Sequence, residues 1–600
     1  MRRALFSPIY LLIIGLLGTP IIIGIFGILL PAFGYFPALD SHDWTLDYWY
    51  QLFRSPSLSS SLFLSVFTGV TATIISLWLS ISLISMSYHT SWYERLQRIL
   101  SPILSVPHAS IAIGLLFLLS PSGWLLRIVS PDVTGFVRPP NWITVQDPYG
   151  LSLILALVIK ETPYLLFVIA AALHQLAPTQ ALATCQSLGY SKLTTWRKVL
   201  LPQLYPLIRL PIFIVLSFSL TVVDMALIVG PNTPSTFAVL LLNWFNDSDL
   251  SHRYVASAGA IMLVLLILAI IAVWELARTL VQKMVRYERI NGKRSGFTDL
   301  FLTIGAFLGA WSFVISFLSL LVLPIWAVAK RWRFPDVFPS QFSLSNLERA
   351  WPVLSSTTSQ TLIIAISSTL IALAISIFVL ELIRATRQTQ ATKHVPAKAQ
   401  TKAEIRNLNT RHTTEQDGQK PLLALMYLPI LLPQIGFLFG IQVLLISFDL
   451  NGHYLSVIVM HLLYVLPYVY LTLSGPYQSF EHAYLLEANR LNKRPARNFF
   501  SIKLAMLKAP LCTAFAIGFS VSMAQYLPTL IAGEGRITTL TTEAVALATS
   551  GDRKKVGVFA LVQILFPIFA FAAAHIIPTY WTQWRLNTKN ALRGSFVSRT

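Results

Sequence analysis

Long apolar runs constrain this chain more than any other feature. Twelve of them lie near residues 9–31, 60–86, 102–120, 151–174, 204–229, 256–280, 301–328, 356–383, 421–447, 454–474, 508–532 and 556–580. Each approaches the roughly 20 helical residues needed to cross a hydrocarbon core about 30 Å thick. Inside lipid every backbone N–H and C=O must pair internally, and these runs are too long and continuous for barrel strands, so they read as helices. The predicted fold class is all-α, a polytopic membrane protein with twelve transmembrane helices. With 55% hydrophobic and 12% charged residues, the composition carries half the charge of a soluble domain, which is about 25% charged. Arg2 and Arg3 precede the first run, but that run outlasts a signal-peptide core and ends in no small-residue cleavage site, so it reads as a retained helix.

Placing the N-terminus inside puts most of the 45 Lys and Arg on cytoplasmic segments, as the positive-inside rule requires. Both termini are then expected in the cytoplasm, and the net charge of +20 needs no nucleic-acid partner. Cys185 falls in a loop and Cys512 in a helix, which suggests neither a disulfide framework nor a metal site. No cofactor is expected. The basic segment 384–420, without Phe, Trp or Tyr, reads as a disordered cytoplasmic insertion.

The chain repeats itself. "VPHASIAIGLL" (106–116) and "LPQIGFLFGIQ" (432–442) place Pro107 before Gly114 and Pro433 before Gly440 at the same spacing. "TPYLLFVIA" (162–170) matches "LPYVYLTLS" (466–474), and "FSLTVVD" (218–224) matches "FSVSMAQ" (519–525), setting Asp224 opposite Gln525. The expected organisation is two repeats, 1–300 and 301–600. Six helices in each would give the halves one orientation, so the repeats would be parallel and related by an axis along the membrane normal.

Between the fourth and fifth runs, "PTQALATCQSLGYSKLTTWRKVLLP" (178–202) reads as a soluble elbow. A short helix with Thr179 as N-cap would stop at Gly189 in the left-handed region. A second would start at Ser191 with Leu193, Trp196 and Leu200 on one face, Lys192, Arg197 and Lys198 around it, and Pro202 restarting the chain into the membrane. The cognate elbow, "LLEANRLNKRPARNFFSIKLAML" (485–507), has Asn492 at the glycine position and Pro495 just inside its next helix. With no proline to match Pro202, Ala505 would continue that helix as far as Pro510.

These residues carry a resemblance. Ala183, Thr184 and Cys185, then Gly189, then Val199, Leu201 and Pro202 resemble the Glu-Ala-Ala…Gly…Val-x-Leu-Pro loop of permease subunits of ABC importers that depend on a binding protein. Leu486, Glu487 and Ala488, then Asn492, then Ile502, Leu504 and Ala505 resemble it in degenerate form over 482–507. The whole chain is similar to the fused two-repeat permeases of the ferric-iron and thiamine importer group. The resemblance implies the type I ABC importer permease fold and a bacterial inner (plasma) membrane location. It implies two copies of a cytoplasmic ATP-binding subunit and an extracytoplasmic solute-binding protein as partners. It makes Ala183, Gly189, Leu193, Trp196, Ala488, Asn492 and Phe499 the ATPase-coupling residues. The chain would transmit work without being an enzyme, and the nearest phosphate-loop fragment, "INGKRSG" (290–296), lacks the spacing and the Ser/Thr.

Ionisable groups in the hydrocarbon are costly and ask for an explanation. Lys160, Glu161 and Asp224, with Gln525, are the candidate translocation-path residues. Structural contacts between helices are the alternative for each, as for His108 and Gln434. The alternative function is a proton-coupled twelve-helix secondary transporter using Asp224, Glu161 or Lys160, for which the two elbows would have no ATPase to dock.

Overall fold

The computed structural model describes residues 2–294, 296–393 and 420–597. The first half runs α1 (Arg2–Ala32), α2 (Asp47–Arg54), α3 (Leu58–Ser87), α4 (Ser91–Ser105), α5 (His108–Leu119), α6 (Trp124–Val129), α7 (Leu151–Leu173), α8 (Pro178–Ser187), α9 (Lys192–Thr195), α10 (Leu201–Thr221), α11 (Asp224–Val229), α12 (Phe237–Phe245) and α13 (His252–Ile290). The second runs α14 (Phe297–Val328), α15 (Ser345–Lys393), α16 (Lys420–Leu431), α17 (Gln434–Ser447), α18 (Tyr454–Gln478), α19 (Ala483–Asn492), α20 (Pro495–Asn498), α21 (Lys508–Ala524), α22 (Leu527–Gly533), α23 (Leu540–Ser550) and α24 (Arg553–Val597). A two-stranded antiparallel ribbon, Ala329–Arg331 with Gln341–Phe342, joins α14 to α15.

The protein is all-α and polytopic. Among the described residues ten helices are long and apolar enough to cross a membrane, and an eleventh span forms if Pro495–Leu504 and α21, bent by 75°, count together. The expected run 421–447 is divided: Pro433 is the N-cap of α17, leaving an apolar helix of 14 residues. Pro107 divides the 102–120 run in the same way, ending α4 at Ser105 and capping α5. A proline offers no N–H to the preceding turn and clashes with the carbonyl four residues back, so the helix restarts there. The expected loop 384–420 is helical at its start, because α15 continues to Lys393; residues 394–419 lie outside the described residues.

The two halves exchange their first helices. Helix α1 packs on α17 and α13, while α14 packs on α3, α5 and α24. The glycine that follows each paired proline explains the contact. A Cβ on Gly440 would lie under 3.0 Å from the backbone of Gly24, one on Gly27 under 3.0 Å from the backbone of Gly440, and one on Gly114 under 3.0 Å from the Ser319 carbonyl. Helix surfaces in lipid associate by packing and weak polar contacts rather than by hydrophobic burial, so bare backbone is the means of close approach. Helix α3 buries Ser61, Ser65, Thr68, Thr73, Ser76 and Ser80. Three of these hydroxyls donate to carbonyls of their own helix, Thr68 to Leu64, Thr73 to Gly69 and Ser80 to Ser76, and Ser80 also reaches Thr162 O on α7 at 3.0 Å.

A valine at Gly114 or Gly440 is expected to cost more than the roughly 1–3 kcal/mol usual for overpacking, because the obstacle is backbone. Thermal unfolding and monodisperse yield in mild detergent should both fall, whereas Gly475→Val, with nothing near its Cβ position, should behave as wild type.

Two elbows and a buried polar cluster as the candidate functional site

The first elbow is built from α8, with Pro178 in its first turn, then Gly189 at φ +82°, and α9 capped by Ser191, whose Oγ accepts from Thr194 N at 3.1 Å. Thr179 lies inside α8 and is not its cap; Ala177 holds that position, since proline suits the first helical residue. A π-helical turn, Trp196–Leu200, then leads into α10, and Lys192–Thr221 runs on as one 30-residue span. Pro202 stands in the first turn of α10, where the expected start of the membrane helix falls, and the π turn runs into it without ending the span.

Trp196 is 1% exposed and Leu200 fully buried, packed with Ile84, Ile169, Leu173 and Leu204; Tyr88 meets the Trp196 ring edge-on. As a surface coupling residue Trp196 is thus corrected: it plugs the elbow into the helices beneath. Leu193 is half-buried, while Ala183, Thr184 and Gly189 are exposed, and Leu188, which the sequence reading passed over, is 58% exposed. The basic residues bind inward. Lys192 Nζ donates to Met86 O and Tyr88 O at 2.9 and 2.8 Å, and Lys198 Nζ to Asn291 Oδ1 and Lys293 O at 3.0 and 2.9 Å. Ser191 Oγ donates to Asp299 Oδ2 at 2.6 Å and Ser191 N to Arg294 O at 2.9 Å. The segment joining the two halves is therefore strapped to the first elbow.

The second elbow repeats the plan with other chemistry. Helix α19 has ten residues, as α8 does, and a π turn, Phe499–Leu504, follows the four-residue α20. The left-handed residue is Lys493 at φ +51°, one position beyond Asn492. Asn492 stays helical and uses its side chain instead: its Oδ1 accepts from Arg494 N at 3.1 Å and from Asn498 Nδ2 at 2.7 Å, while Asn498 Nδ2 also reaches Asn489 Oδ1. Where the first elbow has the Trp196 plug, the second buries Lys503, which pairs with Glu381 and lies 3.8 Å from the Tyr477 ring centre. Tyr477 Oη donates to Glu381 Oε1 at 2.8 Å. Phe499 is half-buried with its ring toward Lys503, so Phe500, 67% exposed, takes the outer surface, as Leu486 and Leu491 do on α19. Ala488 is half-buried. The helix expected to continue to Pro510 breaks earlier, at Ala505–Leu507, one turn before the proline that would clash with it.

The intramembrane polar groups gather around two helix breaks. Asp224 opens α11 after the break at Val222–Val223, and Gln525 ends α21 at the matching break before α22. Lys160 and Glu161 are buried on α7, and Lys160 is the cation whose field reaches both Glu161 and Asp224. Its Nζ donates to Val106 O at 2.6 Å and Leu104 O at 3.4 Å, carbonyls freed by the Pro107 break, so Lys160 staples that break shut. Tyr526 adjoins Asp224, and Tyr164 and Tyr468 adjoin Glu161. His108 faces the Phe218 ring at 4.8 Å. Sequence reasoning overlooked His461, 1% exposed, which bridges Ser522 and Thr529 at 2.8 Å each and so clamps α18 across the α21–α22 break; a lone histidine in an apolar helix was the available signal. It also overlooked Gln563, which links Ser110 of the first half to Thr541 of the second at 2.7 and 2.6 Å. Among the described residues no group of three or more His, Cys, Asp or Glu is placed to hold a metal ion.

Comparison with known proteins agrees with this architecture. Residues 72–287 match the family described as binding-protein-dependent transport system inner membrane component. The chain is also 28% identical over 535 residues, covering 89% of it and 91% of the relative, to the inner membrane ABC transporter permease protein YnjC of Escherichia coli (strain K12). The chain is thus a polytopic membrane protein whose residues 72–287 are similar to that family and which is similar along most of its length to an ABC transporter permease.

Breaking one side of a buried ion pair strands the other charge, at about 3–5 kcal/mol. Glu381→Leu is expected to lower the unfolding temperature in detergent sharply, and adding Lys503→Met should recover part of the loss in a double-mutant cycle.

Proposed function

We propose that the chain is the permease of an importer, carrying a small polar solute handed over by an extracytoplasmic binding protein. In this reading it is two parallel six-helix repeats, 1–300 and 301–600, with both termini in the cytoplasm. Two copies of an ATP-binding subunit dock on the two elbows, and their closure on ATP rocks the halves between inward-facing and outward-facing states. The observation that carries the proposal is the geometric match of the elbows: a ten-residue helix, a left-handed stop, a four-residue helix and a π turn, twice. Each presents exposed apolar or small side chains, Ala183, Leu188 and Gly189 in one and Leu486, Leu491 and Phe500 in the other. Such a surface suits a helix seated in a groove of a partner. Trp196, Lys503 and the strap at Asn291–Asp299 support the reading from below, since a docking element must pass its displacement to the helices it sits on.

In this reading Asp224 and Gln525, at the matched breaks, serve the solute path or its gate. Lys160 serves the path by holding the Pro107 break, and Glu161 adds a second carboxylate facing tyrosines.

The test is co-purification from native membranes in mild detergent, with ATPase activity measured in the eluate. An ATPase held by the wild type and lost from a Leu188→Glu/Leu491→Glu double variant supports the proposal; transport by the chain alone, driven by a proton gradient, overturns it. Gly189→Val is expected to uncouple ATP hydrolysis from transport while leaving membrane insertion intact, because a β-branched residue is strained at φ +82°. Asp224→Asn should lower solute uptake about tenfold, equivalent to roughly 1.4 kcal/mol, without loss of ATPase binding.

A further inference from the structure

The left-handed corner of each elbow carries a positive charge, reached by two different routes. In the second elbow the corner residue is itself a cation: Lys493, at φ +51°, is exposed, and its side chain has no hydrogen bond or ion pair among the described residues. Lysine is not a residue that the left-handed region favours, so backbone ease is not what places it there. In the first elbow the corner is Gly189, and residues 178–191 include no charged side chain. Lys192 and Lys198, the next cations along, donate inward to carbonyls and to Asn291.

The missing charge comes from the segment that joins the two halves. A Cβ added to Gly189 would lie 3.1 Å from Arg294 Nη1 and 3.4 Å from its Cζ, so the guanidinium rests on the bare face of the glycine. The backbone on either side of the contact is tied down: Ser191 N donates to Arg294 O, and Lys198 Nζ to Lys293 O, both at 2.9 Å. Asp299, the one carboxylate in the sequence 291–299, accepts from Ser191 Oγ and Thr194 Oγ1 instead. The Arg294 side chain is left exposed, with no hydrogen bond or ion pair among the described residues. Positive-inside anchoring accounts for cations near the cytoplasmic surface in general. It does not account for one on the same corner of both elbows, carried by the corner residue in one and borrowed from a distant segment in the other.

We propose that Arg294 and Lys493 are matched electrostatic contacts of the elbows with the two ATP-binding subunits, each meeting a carboxylate on the rim of the groove that receives the elbow. The inference rests on the docking reading given above and names what the docking recognises besides apolar side chains. Two copies of one subunit bring the same groove to both elbows, so an acidic group on it has to find a cation at the same place twice. Rim charges of this kind orient the partners and speed their encounter more than they add affinity.

The test is purification of the full chain with its partners from native membranes in mild detergent, with the ATP-binding subunit retained per chain measured by labelled-nucleotide binding in the eluate. Arg294→Met keeps a straight side chain over Gly189 and removes only the charge. At about 0.1 M salt, where the Debye length is about 10 Å, Arg294→Met and Lys493→Met are each expected to lower retention about threefold, the scale of an exposed ion pair. The double variant should lose about tenfold, since the sites are separate, and Arg294→Lys should match the wild type. At about 1 M salt, where charges are screened beyond about 3 Å, wild type and variants should become equal. Equal retention by the wild type and the double variant at low salt overturns the proposal and leaves the docking reading standing. A deficit that persists at high salt, or one that Arg294→Lys shares, also overturns it, because the residues would then act through packing. An ATP-binding subunit missing from the wild type itself overturns the docking reading and this inference with it.

Discussion

The architecture rests on two places where helices meet backbone to backbone. Glycines 24, 27 and 440 let α1 lie against α17, and Gly114 lets α5 lie against α14. Each contact joins the first helix of one half to a proline-started helix of the other. The proline and the glycine are one device: the first starts the helix afresh at the right angle, and the second removes the side chain that would hold its neighbour away. Each half therefore holds a helix of the other against its own.

The same geometry is reached with different chemistry in the two elbows. Trp196 seats the first by filling an apolar socket, and Lys503 seats the second by pairing with Glu381 among aromatic rings. The apolar seat gains from dispersion and burial, without a charge that needs a counter-charge. The ionic seat is sensitive to the loss of either partner, since a buried charge needs its counter-charge. The strap from Ser191 to Asp299 belongs to the first elbow alone, because only there does the chain pass from one half to the other.

Helix breaks concentrate the polar chemistry. Each break frees backbone carbonyls and amides that lipid cannot satisfy, and charged or hydroxyl side chains gather to meet them. Lys160 at the Pro107 break and His461 across the α21–α22 break both do so. Asp224 and Gln525 sit at the matching breaks too, one opening α11 and the other ending α21.

The sequence by itself determined that the chain is a helical membrane protein, that Pro107/Gly114 and Pro433/Gly440 are equivalent, and that elbows at 178–202 and 482–507 interrupt the apolar runs. Hydropathy and glycine–proline punctuation encode these locally, so they are legible without coordinates. It also made Gly189 the left-handed stop of the first elbow, since αL preference is a local property. Tertiary structure alone decided that Trp196 and Phe499 turn inward and that Leu188 and Phe500 take the surface. A π turn shifts the register of the side chains that follow, and nothing in the residue pattern announces it. The glycines' purpose, the Lys503–Glu381 pair and the Ser110–Gln563–Thr541 chain likewise join residues far apart in sequence. Such contacts exist only when packing brings the helices together, so periodicity could name the residues but not their partners.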